Sequence, residues 1–157
     1  MEEKKTGQLD EYWIAKLDEI LLSENPEIGL QELADNRDLN YVLPELCKQI
    51  GFHQDTPYHS LRLWDHTLKV VSLVPADLEL RWAALLHDIG KPYVQRKNQK
   101  GFSSYAHHAE AGTGIVAEIG ARFNWPAART ERITELVSNH MKDHSPLRKA
   151  DNDAKIW

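Results

Sequence analysis

The chain has almost no cysteine. Its one thiol, Cys47, excludes an internal disulfide and removes thiolate metal centres, so any transition metal would be held by imidazole and carboxylate. No apolar run is long enough to cross a bilayer, and no membrane partner is expected. Met1-Glu2-Glu3-Lys4-Lys5 leads into polar residues without the hydrophobic stretch of a signal peptide, which makes the cytoplasm the expected location. An excess of basic charge is missing as well. A net charge of -5 argues against a chain built mainly to hold nucleic acid, because that affinity comes largely from lysine and arginine on phosphates. Internal repeats, low-complexity tracts and convincing two-residue hydrophobic alternation are absent too, and the last of these speaks against a sheet.

What is present fits one globular domain with a single core: 157 residues, 41% hydrophobic and 27% charged. Leu9, Trp13, Ile14, Leu17, Ile20 and Leu21 recur at three- and four-residue intervals, the period of an amphipathic helix. Asn25-Pro26 opens a short second helix, and a third is expected from about Tyr41 to Ile50, ending at Gly51. His53 to Tyr58 reads as a loop. A helix from His59 to Val74 stops at Pro75, and Asp77 caps the next, whose Leu78, Leu80, Trp82, Ala83, Leu85, Leu86 and Ile89 leave few solvent-facing positions. A polar loop from Lys91-Pro92 through Lys100 precedes helices over about Ala106–Phe123 and from Trp125-Pro126 towards His140, and Leu147 to Trp157 has room for one more. The fold class is all-α, and any division falls near Gly51 to Pro57.

His87-Asp88-Ile89-Gly90-Lys91 sets an imidazole beside a carboxylate where the central helix runs out. Neighbouring side chains diverge on a regular helix, so both serve one site only near its end, and Gly90 supplies that end as a residue tolerant of left-handed closure. Alone, such a pair is more often a hydrogen-bonded surface feature than a metal site. Six positions together say more: His66, His87, Asp88, His108, His140 and one of the aspartates Asp151 or Asp153. Consecutive histidines fall on different apolar helices, and helices packed round one core aim such residues at a shared point. His107 and His108 are adjacent, so one of them points away. His53 and His59 receive no role.

These residues carry a resemblance. His66, His87-Asp88 within Leu85-Leu86-His87-Asp88-Ile89-Gly90-Lys91-Pro92, and a late aspartate resemble the His…His-Asp…Asp signature of the HD superfamily of metal-dependent phosphohydrolases, from about Tyr58 to the C-terminus. Asp65-His66-Thr67-Leu68, His108-Ala109-Glu110-Ala111-Gly112 and Val137-Ser138-Asn139-His140-Met141 are similar to the HD domain of bacterial tRNA nucleotidyltransferases. Leu21 to Pro26 and Val42 to Leu46 resemble the helical body preceding that domain. The resemblance implies a compact HD bundle over residues 58–157 with an N-terminal helical extension, residues 1–57, packed on it. Nothing upstream of Leu9 has room for a nucleotidyltransferase head, and Asp151-Asn152-Asp153 lacks the strand that its spelling would need there, so nucleotide addition is not expected.

The resemblance implies His66, His87, Asp88 and Asp153 as ligands of one divalent metal, drawn from Mn, Fe, Co, Ni, Zn or Mg. His108 and His140 would complete a second site or bind phosphate. A hydroxide generated by the metal would attack a nucleotide, a 2′,3′-cyclic phosphate or another small phosphoester. Asp88 would bridge metals or orient the nucleophile, with Lys91 offsetting charge on the phosphate. Arg96, Lys97 and, from its neighbouring pair, His107 are the residues expected at a substrate rim. The competing reading is a module that binds RNA or protein, possibly beside a separate head-domain chain.

Overall fold

The computed structural model describes residues 8–54, 62–97 and 103–155, without the side chains of residues 97, 103 and 104. Among them the chain forms ten helices: α1 (Glu11–Leu22), α2 (Pro26–Asp35), α3 (Asp38–Val42), α4 (Pro44–Cys47), α5 (Leu63–Leu73), α6 (Leu78–Leu86), α7 (Lys91–Val94), α8 (His108–Arg122), α9 (Ala127–Ser138) and α10 (Arg148–Asp153). The fold is all-α. One antiparallel ladder of two residues a side, β1 (Arg96–Lys97) with β2 (Ser103–Ser104), lies in the stretch read from sequence as a polar loop. None of the helices is long and apolar enough to cross a membrane.

Most elements follow the apolar period, and the departures have local causes. Pro44 divides the expected helix over 41–50: it stands at the start of α4, and Leu43 before it is pushed out of helical geometry, at φ -142° and ψ 65°. Gly51 still closes this region with a positive φ of 76°. Pro92 starts a short helix, α7, at its tolerated first turn, where a loop was expected. His59 and Leu61, expected on the helix that became α5, fall outside the described residues.

Helix α6 is the central element. Every residue from Leu80 to Leu86 is buried, and Asp77 caps it by accepting from the Leu80 amide at 2.8 Å. It packs against α1, α5 and α9, while α2 lies on α5 and α8 on α9. One apolar cluster runs from Leu9 through Trp82 and Phe123 to Ala154, so the N-terminal helices and the later ones share a core. Arg81 is buried within it. Its Nη1 donates to Leu21 O and Ser23 O at 2.6 and 2.8 Å, satisfying carbonyls that the end of α1 leaves without helical partners.

Helix α6 stops at Leu86, short of the expected Ile89, and His87 to Gly90 form turns that lead into α7. Gly90 is not the left-handed closure expected from sequence, since it has φ -80° and ψ -17°. Its missing side chain matters for a different reason. A Cβ at this position would lie 2.2 Å from His108 O and 2.8 Å from the Gly112 amide nitrogen, so only glycine lets the turn press against the first turn of α8. Gly90→Ala is therefore expected to lower stability by about 1–3 kcal/mol, the usual cost of overpacking, in a chemical denaturation measurement.

Candidate metal centre

Three histidines reach the centre of the molecule by one local device. His87 caps α6 and its Nδ1 bonds Ala84 O at 2.6 Å; His140 follows α9 and bonds Val137 O at 2.7 Å; His108 opens α8 and bonds Tyr105 O at 2.9 Å. In each case the acceptor is the carbonyl three residues back. A carbonyl can only accept, so each Nδ1 carries a proton and each ring aims its Nε2 inward, as a lone pair wherever the ring is neutral. Metal-binding histidines are oriented in this way. His107, at φ 65°, turns the chain so that His108 enters while its own ring stays 80% exposed, 3.6 Å from Glu110.

These nitrogens converge on two carboxylates. His66 Nε2, from α5, lies 2.9 Å from Asp151 Oδ1 and 3.5 Å from Asp88 Oδ2. His87 Nε2 lies 3.1 Å from Asp88 Oδ2 and 3.2 Å from Asp151 Oδ1. The other Asp88 oxygen, Oδ1, meets His108 Nε2 at 3.2 Å and His140 Nε2 at 3.5 Å. Two buried groups that could each hold a metal ion thus share Asp88: His66, His87, Asp88 and Asp151 on one side, and Asp88, His108 and His140 on the other.

The chemistry of this donor set fits divalent cations. His108 Nε2 and His140 Nε2 face each other at 3.0 Å, and two lone pairs at that distance repel unless a proton or cation lies between them. Asp88 Oδ2 is buried and, despite its short ionic contacts, has no partner in hydrogen-bond geometry. Donor atoms that point to common centres rather than to one another are what metal coordination requires. Neutral imidazole with carboxylate suits first-row divalent metals.

Asp151, not Asp153, joins the cluster. The two are about 200° apart on a helix, so one residue's placement excludes the other's. Asp151 is buried, whereas Asp153 Oδ2 pairs with Lys149 Nζ at 2.6 Å on the surface. The sequence contained the signal: Leu147, Ala150 and Ala154 are all buried, and Asp151 shares their three- and four-residue spacing. Lys91 is buried beside the centre, its Nζ 3.2 Å from Asp88 Oδ2 and donating to Gln54 Oε1 at 2.7 Å. Arg96 is exposed on β1, and the Lys97 side chain lies outside what is described. Gln54 and Tyr105, whose ring centroid lies 5.2 Å from Lys91 Nζ, were not anticipated, since an isolated glutamine and tyrosine in loops leave no periodic trace.

Burial disfavours a charged His87, but the charge of Asp88 and the hydrogen bond and charge of Asp151 outweigh it and push the ring from 6.5 up to about 10. Burial likewise opposes ionisation of Asp88 and Asp151; contacts with His87, joined by Lys91 at Asp88 and His66 at Asp151, hold both carboxyls well below their ordinary 3.8. In the metal-free chain the His87 proton therefore contributes stability that is complete below 6.5 and lost as pH rises through about 10. The carboxylates contribute stability present above 3.8 and lost as pH falls. A divalent cation must displace the His87 proton. Apparent affinity for Mn²⁺ or Ni²⁺ should thus rise about tenfold per pH unit from about pH 6 to pH 9, with close to one proton released per protein in calorimetry across buffers. A flat profile would show that the cation binds elsewhere.

Known proteins resemble this chain over most of its length. The HD domain model matches residues 56–156. The chain is similar to the CC-adding tRNA nucleotidyltransferase of Thermus thermophilus, 38% identical over 141 residues, covering 86% of this chain and 32% of that protein. It is 33% identical over 132 residues to the A-adding tRNA nucleotidyltransferase of Deinococcus radiodurans, covering 80% and 30% respectively. With the Multifunctional CCA protein of Pseudomonas aeruginosa strain PAO1 it shares 27% identity over 131 residues, 81% of this chain and 31% of that one. The chain spans about a third of the length of the curated relatives it matches. The histidines and aspartates of the centre lie within the matched span, and the chain belongs to the HD domain family.

Proposed function

We propose that the protein is a metal-dependent phosphohydrolase acting on a nucleotide, a 2′,3′-cyclic phosphate or a similar small phosphoester. The observation that carries this reading is the sharing of Asp88: one carboxylate serves two groups of ligands through separate oxygens, the arrangement that holds two cations side by side. His66, His87, Asp88 and Asp151 would hold one divalent ion, and Asp88, His108 and His140 a second. When bound, such ions polarise a phosphoryl oxygen and make water acidic enough to supply hydroxide near neutral pH.

The chain's own groups do the positioning. The three carbonyl-bound Nδ1 atoms keep His87, His108 and His140 in one tautomer, so none reorganises as charge develops at phosphorus. Lys91 carries the one buried ammonium among the described residues and is placed to offset negative charge on the phosphoryl group or its leaving oxygen. Burial strengthens that interaction, since few waters screen it. His107 and Arg96 remain the residues proposed for the outer rim, where a nucleoside or an RNA end would emerge.

A second reading rests on the relatives, which are named for tRNA nucleotide addition. In it the chain is a helical module that holds RNA or a partner protein, with the head domain supplied by a separate chain. The two readings separate at Asp88. Asp88→Ala is expected to abolish metal-dependent hydrolysis of an aryl phosphate and of 2′,3′-cyclic nucleotides, a loss of at least about a hundredfold, while leaving any tRNA retention on filters intact. Hydrolysis by the wild-type protein with Mn, Ni, Co or Mg that does not exceed the Asp88→Ala background would sink the hydrolytic reading.

A further inference from the structure

The Gln54 carboxamide is only 2% exposed and lies against the centre without belonging to either ligand group. Its orientation is chemically determined. Lys91 Nζ is a donor with no lone pair, so the atom it meets at 2.7 Å must be the amide oxygen, and the amide cannot be flipped. The nitrogen, Nε2, is then left buried with two protons and no acceptor. An unmade hydrogen bond of this kind is costly in a folded interior, and it recurs where a ligand completes the pairing. The loop holding Gln54 is fixed from outside: the Tyr105 hydroxyl donates to Gln54 O, and the Tyr105 ring packs 6.2 Å from Phe52.

Lys91 therefore links two groups, its ammonium 3.2 Å from the Asp88 carboxylate and 2.7 Å from the Gln54 amide oxygen. Lys91 donates to the amide oxygen and so leaves the amide nitrogen as the arm of Gln54 still to be paired. A group that accepts from this nitrogen while approaching the Lys91 ammonium is best matched by an anion rich in acceptors. We propose that Gln54 and Lys91 form a two-armed clamp for the phosphoryl oxygens of the substrate, with the Gln54 nitrogen donating one hydrogen bond and Lys91 supplying the charge. The inference rests on the phosphohydrolase reading and adds to it a residue that binds substrate.

Inorganic phosphate is the probe, titrated calorimetrically into Mn²⁺-loaded protein whose metal content is measured for every variant. Gln54→Leu should weaken phosphate binding at least about tenfold with the metal content unchanged. Gln54→Glu keeps an acceptor for Lys91 and so preserves the fold, yet it removes the donor and repels an anion, and should weaken phosphate more than Gln54→Leu does. If Nε2 instead meets only a buried water, Gln54→Leu changes the melting temperature and both variants bind phosphate as the wild type does; that result overturns the clamp. Failure of the wild-type protein to bind phosphate overturns it equally. Should the wild type bind phosphate through Gln54 yet hydrolyse no phosphoester, the clamp stands and the hydrolytic reading falls. Should hydrolysis persist while both variants bind phosphate normally, the clamp falls and the hydrolytic reading stands.

Discussion

A fully buried carboxylate governs this structure. Asp88 is 1% exposed and ionised, a state that burial alone makes very costly. It is tolerable only because every direction around it is occupied by a group that can carry or receive positive charge. Lys91 and His87 lie on one oxygen, joined at longer range by His66, and His108 and His140 lie on the other. The tautomers of three of these rings depend in turn on carbonyl groups at or beside helix ends. Tyr105 O and Val137 O also accept the His108 and His140 amides, so the turn that positions each ring and the bond that orients it share one carbonyl while the other ring nitrogen faces Asp88. The places where α6, α8 and α9 start or stop are thus tied to the chemistry at the middle.

The packing that surrounds the cluster serves the same constraint. Gly90 lets the turn carrying Asp88 press on α8, which sets His108 against the Asp88 oxygen from a different helix. Arg81 joins the ends of α1 and α5 through carbonyl contacts at Ser23 and Val74, and α5 bears His66. Arg122 of α8 reaches Glu45 of α4 in a two-pronged pair at 2.7 and 2.8 Å. The N-terminal helices contribute no ligand to either group, yet they brace two helices that do.

How much of this was legible in the sequence depends on how each feature is encoded. Helices α1, α5, α6, α8 and α9 were legible because burying one face imposes an apolar period on a dozen residues. His66, His87, Asp88, His108 and His140 were legible because each is a polar residue set in or beside such a helix, where its type is out of place. The final aspartate was harder: α10 is a six-residue helix whose apolar face consists of small residues, so the spacing that includes Asp151 and excludes Asp153 is faint. The reason for Gly90 was hidden entirely, because a close approach between a turn and another helix is a tertiary fact, whereas a left-handed φ is a local one. Gln54 gave no sign for the same reason, its meaning lying in a lysine 37 positions away.

The energetics bear on which role such a centre suits. A scaffold that only held RNA or protein would gain from apolar residues at these positions, since replacing buried charge with well-packed hydrophobic groups is often neutral or stabilising. Here the opposite arrangement persists through six residues on separate helices and turns, with lone pairs set against each other at 3.0 Å and a carboxylate oxygen outside hydrogen-bond geometry. That concentration of donor density weakens the metal-free fold and is relieved by a proton or a cation. Both groups of ligands come from residues 66–151. A site of this kind is better suited to holding divalent cations than to passive support, because the same electron-rich donors that strain the metal-free fold are what such cations bind.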